Sequence, residues 1–225
     1  MSAYTTVQRL RASIGSLVSG ASDEVLTRVI EAVSQWIDQY CNRPDGFVAL
    51  STAAAREYAG SGEATMLIDE CVQVTLVESK QATDTSYTAW VAADWRAYSG
   101  DARSPNLNRK PYHALMCLPS GSYSSFPRAV GRERAGFKTT LDDGLMTRQW
   151  SAPTVRVTGK WGYAVTLPTA IEEACIIQAT RQYKRGQSAY NDATASAEFG
   201  VLQFRGLDPA VETILAQGRF IRPRI

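Results

Sequence analysis

Four pairs of adjacent carboxylates stand in the 225-residue chain: Asp23–Glu24, Asp69–Glu70, Asp142–Asp143 and Glu172–Glu173. Paired acids can divide general-acid and general-base work, or gather a hard cation. Two of the pairs fall in the first turns of predicted helices, where the helix dipole accounts for them. Asp142–Asp143–Gly144 has the composition of a turn and lacks the ligand count of a calcium loop. The one histidine, His113, excludes a His-pair metal site, and any Ser-His or Cys-His nucleophile would depend on it. A hydrolase working through His113 would need a nucleophile and an orienting carboxylate that no spacing marks, so a satisfied or solvent-facing imidazole is the simpler reading. Gly131-Arg-Glu-Arg-Ala-Gly-Phe-Lys138 approaches a phosphate loop, but Phe137 separates the last glycine from the lysine and no strand feeds it. Cys41, Cys71, Cys117 and Cys175 are widely separated and form no CxxC, which fits buried thiols in a reducing cytosol. The expectation is a protein without catalytic set, cofactor or metal.

The residues that stand out instead are suited to contact. Arg128, Arg132, Arg134 and Lys138 form a basic run opposed only by Glu133, fit for an acidic protein surface or for passing DNA phosphates. Trp95–Arg96 and Phe126-Pro-Arg128 set aromatics beside arginines, as base-stacking sites do, although such aromatics more simply anchor strands and loop ends. A tight polyanion binder needs a larger basic excess than 24 Lys and Arg against 22 Asp and Glu. The tail Arg219-Phe-Ile-Arg-Pro-Arg-Ile225 interleaves arginines with large apolar groups, the composition of an interface anchor. Docking of this tail on another protein predicts that deleting 219–225 abolishes partner binding and leaves the melting temperature nearly unchanged. The alternative is a tail folded back on its own domain.

These groups must be positioned by elements that the apolar pattern outlines. Val7, Leu10, Ile14, Leu17 and Val18 lie on one helical face, with Thr5 and Gln8 at capping-box spacing. Ser22 caps a second helix whose stripe runs from Val25 to Tyr40, until Asn42-Arg43-Pro44 stops it. From about residue 53 the period changes to two. Arg56–Ala59 and Thr65–Ile68 flank Gly60-Ser61-Gly62 and read as a hairpin. Val72, Val74 and Leu76 alternate; Tyr87–Val91, Trp95–Tyr98, Tyr112–Leu118 and Val155–Trp161 are further strand candidates. The long polar stretches between them read as loops that order against a partner. A third helix opens at Pro168–Thr169 and stops at Gly186. Ile176, Ile177 and Tyr183 give it an apolar surface wider than one stripe, which makes them candidates for a contact between subunits. Gln187–Ser196 reads as a mobile connection, and Asp208–Pro209 starts a short last helix. The fold class is therefore α+β: about four helices forming a core from both termini (1–52 plus 166–225), with a large β-rich insertion at 53–165. No segment has the apolar length of a membrane span or the apolar run of a secretion signal.

The order of these elements carries a resemblance. Trp36-Ile-Asp-Gln-Tyr-Cys-Asn-Arg-Pro44 is followed by Arg-Glu-Tyr-Ala-Gly-Ser-Gly62 and Met66-Leu-Ile-Asp69. Later come Val155-Arg-Val-Thr-Gly-Lys-Trp-Gly-Tyr163, Leu167-Pro-Thr-Ala-Ile171, Gln182-Tyr-Lys-Arg185 and Leu207-Asp-Pro-Ala-Val211. Together these resemble the head–tail connector, or adaptor, proteins of long-tailed bacteriophages, from about residue 5 to the end; Ser99–Trp150 matches least. The resemblance implies a non-enzymatic virion protein of the neck, made in the host cytoplasm, that forms a ring beneath the portal and extends the DNA channel. It implies as partners the portal protein, neighbouring copies in a commonly dodecameric ring, a stopper or tail-completion protein, and the double-stranded DNA in the channel. Carried over to this chain, the portal-binding segment would be Arg219, Phe220, Ile221, Arg222, Pro223, Arg224 and Ile225. The alternatives are another neck or tail-completion protein, or a nucleic-acid-binding module using the 128–138 run.

Overall fold

Eighteen residues from Asp23 to Tyr40 carry the cleanest helical period in the chain, and the most amphipathic of the described helices forms on them. In a computed structural model, residues 3–14, 22–99, 109–129, 152–187, 193–196, 200–203 and 207–222 are described. Their helices are α1 (Val7–Ile14), α2 (Asp23–Tyr40), α3 (Thr169–Gln187) and α4 (Pro209–Gln217). Their strands are β1 (Ala54–Tyr58), β2 (Thr65–Ser79), β3 (Thr88–Ala89), β4 (Trp95–Tyr98), β5 (Tyr112–Cys117), β6 (Val155–Trp161), β7 (Ala193–Ser196) and β8 (Gly200–Gln203). The chain is α+β. Two compact units arise, one from residues 1–48 and 164–225, the other from 49–163.

The first unit holds the four helices. Ser22 caps α2 by accepting from the Val25 N–H, and Asp23 and Glu24 occupy its first turn. Leu26, Ile30, Val33 and Ile37 of α2 are buried together with Leu10 of α1 and Ile171, Ala174, Cys175 and Ala179 of α3. α3 packs against α1, α2 and α4. That central position explains its wide apolar surface: Ile176 and Tyr183 are buried within the chain itself, and Ile177 is half-buried. The expectation that these side chains present a subunit contact is therefore corrected for Ile176 and Tyr183. Asp208 caps α4 through the Ala210 N–H and binds Arg181 of α3 at 3.0 Å.

Several local readings shift by a residue or a turn. Thr6, not Thr5, caps α1, its hydroxyl accepting from the Arg9 N–H. The Pro168 carbonyl takes the first bonds of α3, which runs past Gly186 to Gln187. Part of the supposed mobile connection is strand, because Ala193–Ser196 pairs antiparallel with Gly200–Gln203.

In the second unit the strands form an antiparallel sheet ordered β1-β6-β2-β5-β4, with β3 beside β2. The expected β1–β2 hairpin does not form. β6 lies between the two, pairing Tyr58 with Val155 on one side and Ser79 with Val155 on the other. β2 is fifteen residues long, with register shifts at Cys71–Gln73 and Val74–Leu76 that turn Val77 inward and leave Val74 and Leu76 half-buried. Of the Tyr87–Val91 candidate only Thr88–Ala89 is strand. The core gathers Met66, Ile68, Val77, Trp90, Leu115, Phe126, Val155, Val157 and Trp161. The buried Trp161 indole donates to the Ala54 carbonyl at 2.7 Å and carries the Arg56 guanidinium over its ring.

Candidate functional site

The end of α4 and the end of α2 are built in the same way. Both close in a Schellman motif, in which the two residues after the cap bond back to carbonyls of the last turn. In α2 the Asn42 N–H bonds to Gln39 O and the Arg43 N–H to Asp38 O; in α4 Arg219 bonds to Ala216 O and Phe220 to Leu215 O. The motif requires a left-handed residue, and Asn42 (φ 55°) and Arg219 (φ 54°) supply it. Asparagine tolerates that conformation. Arginine does so at a cost of about 1 kcal/mol that glycine would avoid.

The reversal after Arg219 throws Phe220 inward. Its ring meets Phe47 edge-on at 5.7 Å and is buried, and Arg43 Nε donates to its carbonyl oxygen at 2.8 Å. The close approach depends on Gly218, where a Cβ would lie 2.2 Å from the Phe220 ring. One step on, the Arg222 N–H bonds to the Cys41 carbonyl at 3.0 Å. The tail up to Arg222 is thus folded back on its own unit, which corrects the expectation of a free anchor: Phe220 is a core residue. What the turn leaves exposed is Arg219 and Ile221, with Arg222 half-buried. Pro223, Arg224 and Ile225 lie outside the described residues.

The same corner holds a buried polar pin. The Tyr4 hydroxyl donates to Asp38 Oδ1 and accepts from the Phe47 N–H at 2.9 Å. Burial pushes the Asp38 carboxyl up to about 6, partly offset by that hydrogen bond, and burial next to Asp38 raises the Tyr4 phenol as well. Beside it on α2, Trp36 and Tyr40 stack at 5.1 Å, with Tyr40 exposed. An aromatic pair, an exposed isoleucine and two arginines therefore occupy the neighbouring ends of α2 and α4.

In the second unit Arg128 is the member of the basic run that falls among the described residues; Arg132, Arg134 and Lys138 lie outside them. Arg128 is exposed, its stem 3.2–3.4 Å from the Cβ position of Gly62. Trp95 is half-buried against the core and Phe126 fully buried in it, so both aromatics anchor the fold as the simpler reading has it. His113 on β5 has Nδ1 3.7 Å from Oε1 of the buried Glu70. That carboxylate partner escaped sequence reasoning because the register shift that brings Tyr112 opposite Cys71 is not written locally. The four cysteines are buried, and burial raises every thiol. Among the described residues no three His, Cys, Asp or Glu gather as metal ligands, and no helix is long and apolar enough to cross a membrane. No protein-family model matches the sequence, and no curated protein is detectably similar to it.

Proposed function

We propose that this chain is a non-enzymatic virion protein, a head–tail adaptor whose helical core is built from both terminal segments and whose β-rich middle is an insertion. In this reading copies of the chain form a ring beneath the portal, continue the DNA channel and offer a surface to the next neck component. The observation that carries the proposal is Arg219. A non-glycine residue is held left-handed and exposed at a turn that glycine would stabilise, in the segment where the resemblance puts portal binding. Strain retained at an exposed cation is explained by what the cation contacts. Its neighbours support the reading: Ile221 is exposed beside it, and the Trp36–Tyr40 stack lies at the end of α2 whose Cys41 carbonyl holds the tail. The contact surface is then a folded corner instead of a free peptide.

Native mass spectrometry tests this with the purified chain, alone and mixed with portal rings of the same phage. One copy joining per portal subunit is the expected outcome. A chain that ignores the portal but binds duplex DNA as a monomer, with steep salt dependence, would overturn it in favour of a nucleic-acid module.

A further inference from the structure

A groove of about 480 Å³ opens on the second unit between the end of β2 and the serine-rich segment that follows β5. Its size falls within the range of small-ligand sites. Its walls are unusual in chemistry. Ser122, Ser124, Ser125 and Thr88 contribute hydroxyls, Gln81 an amide, Asp84 a carboxylate that accepts from the Gln81 N–H at 3.2 Å, and Tyr123 ring surface over the buried Phe126. Lys80 and Arg128 bring two positive charges to the same groove.

Neither cation makes a salt bridge among the described residues, and with Asp84 the groove keeps an excess of one positive charge. The backbone on both sides of Arg128 is fixed: the Pro127 carbonyl accepts from Thr154 Oγ1 at 2.6 Å, and the Ala129 N–H donates to Gly60 O at 3.1 Å. The stem of Arg128 rests on Gly62, a left-handed glycine (φ 78°) where a side chain would both strain the turn and crowd the arginine. No carboxylate pairs with Arg128 among the described residues. Lys80 Nζ sits over the Tyr87 ring at 4.7 Å and makes no salt bridge among the described residues. The floor is equally rigid, because Trp90 stacks between Tyr123 (4.1 Å) and Phe126 (5.1 Å) and donates from its indole to Ser79 Oγ. A floor and flanking backbone that need no rearrangement lower the ordering cost of binding.

We infer that this groove binds a sugar ring carrying an anionic group, a carboxylate or a phosphate. The guanidinium of Arg128 takes the anion in a bidentate pair, with Lys80 as a second charge. The serine hydroxyls and the Gln81 and Asp84 side chains exchange hydrogen bonds with the ring hydroxyls, and Tyr123 covers an apolar ring face. A bare anion would use the cations and leave the hydroxyl wall idle; a neutral sugar would leave the cations unpaired. The inference stands independently of the connector reading, since it uses only residues of the second unit.

The test is a titration of the full chain, ¹⁵N-labelled, with glucuronate, glucose 6-phosphate, glucose, acetate and inorganic phosphate, followed by amide shifts. Glucuronate or glucose 6-phosphate should saturate shifts at Gly62, Lys80 and Ser122–Ser125. Glucose, acetate and phosphate should bind at least tenfold more weakly, and the tighter acidic sugar identifies the source of the anion. Arg128→Gln should weaken the acidic sugar at least tenfold, with Arg128→Lys intermediate; both replace an exposed side chain and should leave the circular dichroism unchanged. Absence of saturable shifts, equal binding by Arg128→Gln, or equal binding of acetate or phosphate alone would overturn the inference.

Discussion

Arg43 and Phe220 occupy the same position in two different Schellman turns, and the first donates from Nε to the carbonyl oxygen of the second at 2.8 Å. Helix ends separated by 177 residues of chain are thereby tied through the groups that terminate them. Arg43 is buried, and the Phe220 carbonyl and the Phe47 ring at 5.2 Å are among the groups that replace water around its charge.

Phe220→Ala removes a buried aromatic that closes this corner. A destabilisation of about 3 kcal/mol is expected, from the range for large-to-small aromatic substitutions in cores. Denaturant unfolding followed by circular dichroism measures it. Deleting 219–225 should cost at least as much, the reverse of the unchanged stability that a free tail predicts. An unshifted midpoint in either variant would contradict the packing described.

Arg219→Gly should separate stability from contact. Relief of the left-handed arginine is expected to raise stability by up to about 1 kcal/mol, less the entropy that glycine adds to the unfolded chain. Binding to portal rings should weaken in the same variant. A gain in stability with binding intact would remove Arg219 from the proposed interface.

Acid should strengthen the first unit before it harms the protein. The Asp38 carboxyl titrates near 6 in the fold, above its ordinary value of 3.8. A raised folded pKa means a contribution fully present below about pH 4 and lost as pH rises through about 6. Because the carboxyl is only half-buried, solvent screening limits the effect to about 1 kcal/mol or less. Asp38→Asn keeps an acceptor for the Tyr4 hydroxyl and should flatten stability between pH 4 and 7. A wild-type profile parallel to that of the variant would show that Asp38 does not set this dependence.

Thr154 ties its own segment to two others at one oxygen. Its hydroxyl accepts from the Gly60 N–H at 3.0 Å and donates to Pro127 O at 2.6 Å. Thr154→Val takes this partner from the buried Gly60 N–H and the half-buried Pro127 carbonyl, at about 1–3 kcal/mol, while Thr154→Ser should recover most of the loss. Gly60→Ala should be worse, because its Cβ would stand 1.9 Å from Pro127 O. Thermal unfolding of the three variants ranks them, and equal midpoints for Val and Ser would dismiss the hydrogen bonds.

The thiols should be silent. Burial pushes Cys41 and Cys175 up to about 11 and Cys71 up to about 12, so almost no thiolate is present near neutrality. Intact mass after maleimide treatment at about pH 8 should show an unlabelled native protein and four adducts after denaturation. A rapidly labelled native cysteine would mean that its surroundings open.

Much of the helical pattern was readable because its signals are local. The stripe of α2, its Ser22 cap and the Asn42-Arg43-Pro44 stop all lie within one stretch of chain, as do Asp208 and Pro209 at α4. Pairing in the sheet was not, since Gly60-Ser61-Gly62 advertises a hairpin while the partner that satisfies β1 comes from Val155–Trp161. The bulges in β2 hid the facing of Val74, Leu76 and Val77 for the same reason: a shift of phase depends on neighbouring strands. Phe220 was placed in an interface anchor by the composition of the tail, whereas its burial depends on Phe47 and Arg43, which come from the other end of the chain. The Arg128 groove depends on Gly62, Thr154 and Ser122–Ser125 converging from distant segments, and composition records only that such residues exist.

The sheet order sets a schedule for the ribosome. β1 and β2 are made early, yet the strand that fits between them is made last of the described strands of that sheet. At about 5–20 residues per second, the stretch from Ser79 to Trp161 takes several seconds to synthesise. Throughout that interval two strand edges, and the apolar faces behind them, lack their covering partner. Nascent chains of this protein should therefore recruit holdase chaperones until β6 emerges, and ribosomes stalled before residue 155 should carry more of them than ribosomes stalled after full release of residue 161.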